Sequence, residues 1–144
     1  MRNIFCKIFL PTLAVALGAT SCMDDDSFTQ SSAYSLSMST DTLLLDTTFS
    51  TVPTPTKTFW VYNRSGKGLR LSNVRLQRGN QSGFRVNVDG TYLGQQSGFQ
   101  TSDIEVRNKD SIRVFVELTS PKNGQSTPLL VEDNLLFTLE SGLQ

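Results

Sequence analysis

From Ser111 to Thr119 every second residue is apolar, with Ile112, Val114, Val116 and Leu118 all facing one way. Successive side chains of a strand point to opposite faces, whereas an amphipathic helix repeats every 3.6 residues, so this stretch reads as a half-buried strand. Phe84, Val86 and Val88 repeat the pattern against Arg85 and Asn87, and Asp89-Gly90 closes that segment with a tight hairpin signal. In Lys57–Asn63 the parity puts Phe59 and Val61 on one face and Trp60 and Tyr62 on the other. Leu69–Leu76 carries two apolar pairs, Leu69/Leu71 and Val74/Leu76, whose parity slips at Ser72-Asn73, the mark of a bulge or bend. Further strands are expected at Ala33–Met38, Thr42–Asp46, around Ile104/Val106, at Leu129–Val131 and at Leu135–Leu139. After residue 21 no stretch holds a helical period, and strands recur about every 10–15 residues between turn signals. The expected fold is an all-β sandwich, with Phe59, Val61, Phe84, Val86, Val114, Val116 and Phe137 in its core.

The first 21 residues follow different rules. Arg2 and Lys7 precede an apolar run from Ile8 to Ala19, and small residues then lead to Cys22. The run is 12 residues long, short of the roughly 20 a spanning helix needs, and the whole reads as a secretory signal. The cysteine at the cut resembles a bacterial lipobox, with Ala19 three residues before it and Leu17 further back. The resemblance implies cleavage before Cys22 and lipid on its sulfur and new amino group. Residues 22–32 read as an acidic and Ser/Thr-rich tether, and residues 33–144 as the sandwich domain. Asp24, Asp25 and Asp26, just after the cysteine, resemble a surface-export signal and place the protein at the outer membrane, facing the exterior.

Loss of residues 1–21 leaves 11 basic against 13 acidic side chains, which offers nothing to nucleic acid and no polybasic membrane contact. Cys6 departs with the signal, so the mature chain has no cysteine pair for a disulfide, and the sequence contains no histidine. That removes the commonest general base and the commonest metal ligand, and a serine nucleophile loses its usual activator. Asp103 and Glu105, at i and i+2, would share one face of a strand, but paired catalytic carboxylates come from different elements across a cleft. No metal-ligand spacing and no phosphate-binding glycine loop occurs. The expectation is a protein without enzymatic activity, metal or cofactor.

From Asp41 to Gly142 the chain carries, in order, DTLLLDTTFST, FWVYN, SGFRVNVDG, DSIRVFVELT and VEDNLLF. In this it resembles the immunoglobulin-like domain that follows the lipidated cysteine of many Bacteroidetes surface lipoproteins, often ahead of a right-handed parallel β-helix. It is more distantly similar to the abnormal-spindle/hydin class of immunoglobulin-like domains. The resemblance implies a stalk or spacer role, a longer chain and one more strand beyond the position of Gln144. The sandwich is accordingly expected to lack its last strand and leave Leu135–Leu139 as an open edge. Asn134–Leu139 has neither charge nor proline to discourage pairing with another chain. A fimbrillin-like subunit completed by a donated strand is the second reading.

Trp60, Tyr62 and Phe115 oppose the core face of their strands and form a candidate aromatic patch, the surface of a carbohydrate-binding module in a third reading. Thr42, Thr47 and Ser111 each follow an aspartate in the short pattern that resembles the O-glycosylation acceptor of this phylum. Asn63-Arg64-Ser65 and Asn80-Gln81-Ser82 fit the N-glycosylation pattern, an accident in a bacterial lipoprotein.

Overall fold

Residues 27–122, 124 and 127–142 are described by the structure, a computed structural model; the signal segment, Cys22 and Asp24–Asp26 lie outside them. The alternating segments become strands β1 (Ser37–Met38), β2 (Lys57–Tyr62), β3 (Leu69–Leu76), β4 (Phe84–Val88), β5 (Thr91–Tyr92), β6 (Gln100–Thr101), β7 (Ile104–Val106), β8 (Ser111–Leu118) and β9 (Leu135–Leu139). One sheet has the order β1-β2-β8-β4-β5. In the other, β3 pairs β9 along one edge and β6 and β7 along the opposite edge, and every pairing between strands is antiparallel. The fold is an all-β sandwich. No helix among the described residues is long and apolar enough to cross a membrane.

The core lies where period two puts it. Phe59, Val61, Val86, Val114 and Val116 from the first sheet meet Leu69, Leu71, Val74, Phe137 and Leu139 from the second. Phe59 and Phe137 touch edge to face across the layers, with ring centroids 6.4 Å apart, the arrangement aromatic quadrupoles favour. Phe84 packs on this core but stays half-buried, because it stands at the end of β4. The parity slip in β3 is a bulge: the β9 register shifts between Leu71 and Asn73, and Ser72 Oγ donates to the carbonyls of Thr138 and Leu139 at 3.1 and 3.2 Å. The Asp89-Gly90 turn has φ of 48° and 86°. Positive φ at both central residues matches the right-handed twist of the flanking strands, and glycine takes the second position at no steric cost.

Several segments differ from expectation. Ala33–Met38 keeps only Ser37–Met38 as strand, and Thr42–Asp46 and Leu129–Val131 enter no ladder. Leu43 and Leu45 still turn toward the core while Leu44 is 77 % exposed, so the alternation survives without a backbone partner. Lys57 Nζ holds this stretch, donating to the Leu44 carbonyl at 2.9 Å and to Asp46 Oδ1 at 3.3 Å. Leu129 and Leu130 follow Pro128, which has no N–H to give a ladder, and both are exposed. Asp103 and Glu105 do not share a strand face. Asp103 sits at φ 57° ahead of β7, where Ser102 Oγ donates to it, and Glu105 accepts from Arg70 at 2.6 Å.

The stretch read as tether is docked on the domain from Ser27. The Gly68 N–H donates to the Ser27 carbonyl and the Thr29 N–H to the Gly68 carbonyl, both at 3.0 Å. Phe28 lies on Gly68, where a Cβ would stand 2.9 Å from its ring, and under the Arg70 guanidinium at 5.5 Å. Ring burial and cation–π attraction at Phe28 add to these backbone bonds and to the Lys67 Nζ bond to Ser27 Oγ at 2.8 Å in holding the segment. Arg70 also bonds Glu105 and Glu140, which raise its pKa above the ordinary guanidinium value. A raised value on folding means that the Arg70 contribution is present at neutral pH and is lost as pH rises through the folded value, under strongly alkaline conditions.

Candidate functional site

Two surfaces stand out, one for its side chains and one for its backbone. The first is the outer face of the five-stranded sheet. Register brings Thr58 of β2, Phe115 of β8, Asn87 of β4 and Tyr92 of β5 into one row across the sheet, with Trp60 opposite Arg113 in a neighbouring row. Trp60, Tyr62 and Phe115 therefore share a face, as parity requires. Loops do not cover them: Trp60 is 38 % exposed and Tyr62 and Phe115 are half-buried. The sheet's own arginines lie over them instead. Arg113 Cζ is 5.2 Å from the Trp60 ring centroid and 4.9 Å from that of Phe115, and Arg64 Cζ is 4.7 Å from that of Tyr62. Between the Phe115 and Tyr92 side chains a groove of about 220 Å³ runs over Asn87, with Thr56 and the Arg85–Glu117 ion pair (3.2 Å) in its lining.

Tyr92, Arg113 and Asn87 were not foreseen as part of this face. Tyr92 was within reach, since a two-residue Asp-Gly turn implies strand residues on both sides of it. Arg113 sat in plain alternation with Phe115, but its position beside Trp60 depends on the pairing of β2 with β8, which no local pattern specifies.

The second surface is the free side of β9. The Gln77 N–H donates to the Asn134 carbonyl and the Glu140 N–H to the Arg70 carbonyl, and antiparallel ladders alternate. Asn134, Leu136, Thr138 and Glu140 therefore turn their backbone groups to β3, and Leu135 and Phe137 turn theirs outward. Among the described residues nothing bonds those outward groups. The other outer strands are short: β1, β5 and β6 have two residues each and β7 has three, against five in β9. Short edges and charged edges are the usual protection against unwanted pairing, and β9 has neither.

Beside β9 the sandwich opens into a cleft of about 1120 Å³, lined by residues 40–48, residues 128–137 and the core side chains Phe59, Val86, Val116 and Leu118. Four exposed large apolar residues, Met38, Leu44, Leu129 and Leu130, line it too. Isolated exposed leucines are ordinary, but a cluster at the mouth of a cleft marks a contact surface.

The remaining candidates fall elsewhere. Thr42 and Thr47 are exposed in the 40–48 segment of that cleft, while Ser111 is half-buried at the start of β8, its N–H taken by Asp110 Oδ1 at 2.7 Å. Asn63 is fully buried with its amide wholly used, so the Asn63-Arg64-Ser65 pattern marks a structural residue. Cys22 and Asp24–Asp26 lie outside the described residues. No protein-family model matches the chain, and no curated protein or solved structure matches it either.

Proposed function

We propose that this is a non-enzymatic lipoprotein of the outer membrane, anchored by lipid on Cys22 and turned to the cell exterior by Asp24, Asp25 and Asp26. Its immunoglobulin-like sandwich serves as a stalk or spacer that joins its neighbour by strand addition along β9. The observation that carries this reading is the open edge: a five-residue strand without charge, its outward backbone groups unbonded among the described residues, beside a cleft rimmed with exposed leucines. Strand addition supplies main-chain hydrogen bonds for affinity, and the cleft receives the incoming side chains that point inward. A separate subunit that donates the strand, in fimbrillin-like fashion, is the version that the apolar rim favours. The signal and cysteine support the anchor, where each buried acyl CH₂ contributes about 0.8 kcal/mol.

The edge is tested with the soluble domain, residues 27–144. Wild type is expected to self-associate as concentration rises in analytical ultracentrifugation. Leu136→Lys/Thr138→Lys, which charges the outer side of β9 without touching the core, is expected to stay monomeric with an unchanged melt. A wild-type domain that stays monomeric at millimolar concentration and takes up no extended apolar peptide would contradict the reading. The anchor is tested by mass spectrometry, which should find acyl chains on Cys22, and by Cys22→Ser, which should release the protein from washed membranes.

A further inference from the structure

We infer that the outer face of the five-stranded sheet binds an acidic glycan, a sugar chain bearing carboxylates, with a carboxylate on Arg113 and a sugar ring in the Phe115–Tyr92 groove. This is separate from the β9 edge, which belongs to the other sheet, and either can fail without the other.

Asp89, just beyond β4, stands opposite Arg113 and donates its N–H to the Arg113 carbonyl at 3.0 Å, but its carboxylate makes no ion pair among the described residues. Arg85 is spent on Glu117, but no carboxylate among the described residues lies within ion-pair distance of Arg113 or Arg64. Arg113 holds five N–H donors in a rigid fork, and among the described residues its only hydrogen bond is a long one to Thr58 Oγ1, at 3.5 Å. The Trp60 and Phe115 rings hold the guanidinium in place, so little freedom is lost when its edge meets a ligand. A planar fork with unspent donors matches a carboxylate, which it can take in two parallel bonds.

The surroundings select a sugar rather than a bare anion. Phe115 and Tyr92 stand two strands apart in one row, about 10 Å at the usual strand spacing, which leaves room for one ring against either wall. The groove between them has polar groups from Asn87, Arg85 and Glu117 for hydroxyls to meet. Asn87 uses its side-chain oxygen on the Gly90 N–H at 2.9 Å, and no hydrogen bond among the described residues engages its NH₂. Aromatic walls, polar groups and a cation one residue pair along β8 fit a chain of uronic acids.

Trp60 is the only tryptophan, so its fluorescence reports directly on this face. The full chain in detergent would be titrated with a galacturonic acid tetramer, its methyl-esterified counterpart, a hyaluronan tetrasaccharide, sialyllactose and polyglutamate. At least one acidic glycan is expected to shift Trp60 emission saturably. For the galacturonic acid tetramer, esterification should weaken binding by about tenfold or more, the scale of losing one charge-assisted bidentate contact. Arg113→Gln should cause a similar loss and Phe115→Ala a smaller one, each with a melting temperature close to wild type; circular dichroism melts and calorimetry on the same variants separate lost binding from lost fold. No saturable response to any of the three acidic glycans overturns the inference. So does equal binding of the ester to wild type, equal binding of polyglutamate, or full affinity in folded Arg113→Gln.

Discussion

Val114→Asp is expected to abolish cooperative unfolding of the domain, whereas Arg113→Asp one residue earlier should leave it nearly intact. Val114 has no exposed surface and stands between Phe59 and Val88 in the middle of the first sheet's inner face. A carboxylate there has no partner within the core. Whether it stays charged or takes up a proton, the cost of burying it is several kcal/mol, and the valine's own burial of about 1.5–3 kcal/mol is lost as well. Domains of this size have about 5–15 kcal/mol to lose. Arg113 lies on the outer face and gives up two cation–π contacts, together about 1 kcal/mol at an exposed site, and one long hydrogen bond to Thr58. Thermal melts followed by circular dichroism decide the matter, and similar losses in the two variants would mean that the faces are assigned wrongly.

Asn63→Ala should cost about 3 kcal/mol, an unusual amount for an asparagine in a turn-rich stretch. Its NH₂ donates to the carbonyls of Lys67 at 2.7 Å and Val106 at 2.8 Å, and its side-chain oxygen accepts from the N–H and hydroxyl of Ser65. Its own N–H donates to the Asp110 carbonyl, and its carbonyl accepts from the Lys109 N–H. One buried residue thus ties the β2–β3 turn to the end of β7 and the β7–β8 turn. Alanine keeps the two backbone bonds but leaves the Lys67 and Val106 carbonyls and the Ser65 N–H and hydroxyl without the side chain they met, at about 1–3 kcal/mol for each group that water cannot reach. Urea melts should show the midpoint falling with an unchanged slope. A loss below about 1 kcal/mol would mean that water replaces the amide there.

The long strands and the layer order of their side chains were legible because period two says which face is buried and little else can mimic it. The same logic read the β3 bulge from the slip at Ser72-Asn73. It failed where a strand needs a partner. Leu43-Leu44-Leu45 has strand composition and keeps an alternating burial, yet no neighbouring backbone reaches it, and composition cannot say which segments meet. Phe28 escaped notice as one aromatic in a Ser/Thr-rich tract, because its partners Gly68 and Arg70 lie some forty residues away in sequence. Asn63 looked like a turn residue; that it is the buried link between the β2–β3 turn, the end of β7 and the β7–β8 turn depends on β2, β7 and β8 arriving together. On the outer face, parity was enough to group Trp60, Tyr62 and Phe115. The arginine over two of them and the tyrosine across the groove required the strand order.

The open edge of β9 is tested most directly by residue-resolved amide exchange on the soluble domain, at a dilution where it sediments as a monomer. Leu136 and Thr138 bond to β3 and should be protected, while Leu135 and Phe137, one position away along the same strand, should exchange like free backbone. Raising the concentration, or adding the partner that donates a strand, should bring Leu135 and Phe137 to the protection of their neighbours. Four amides equally protected in the dilute monomer would show that the edge is already covered, and would contradict strand addition at β9.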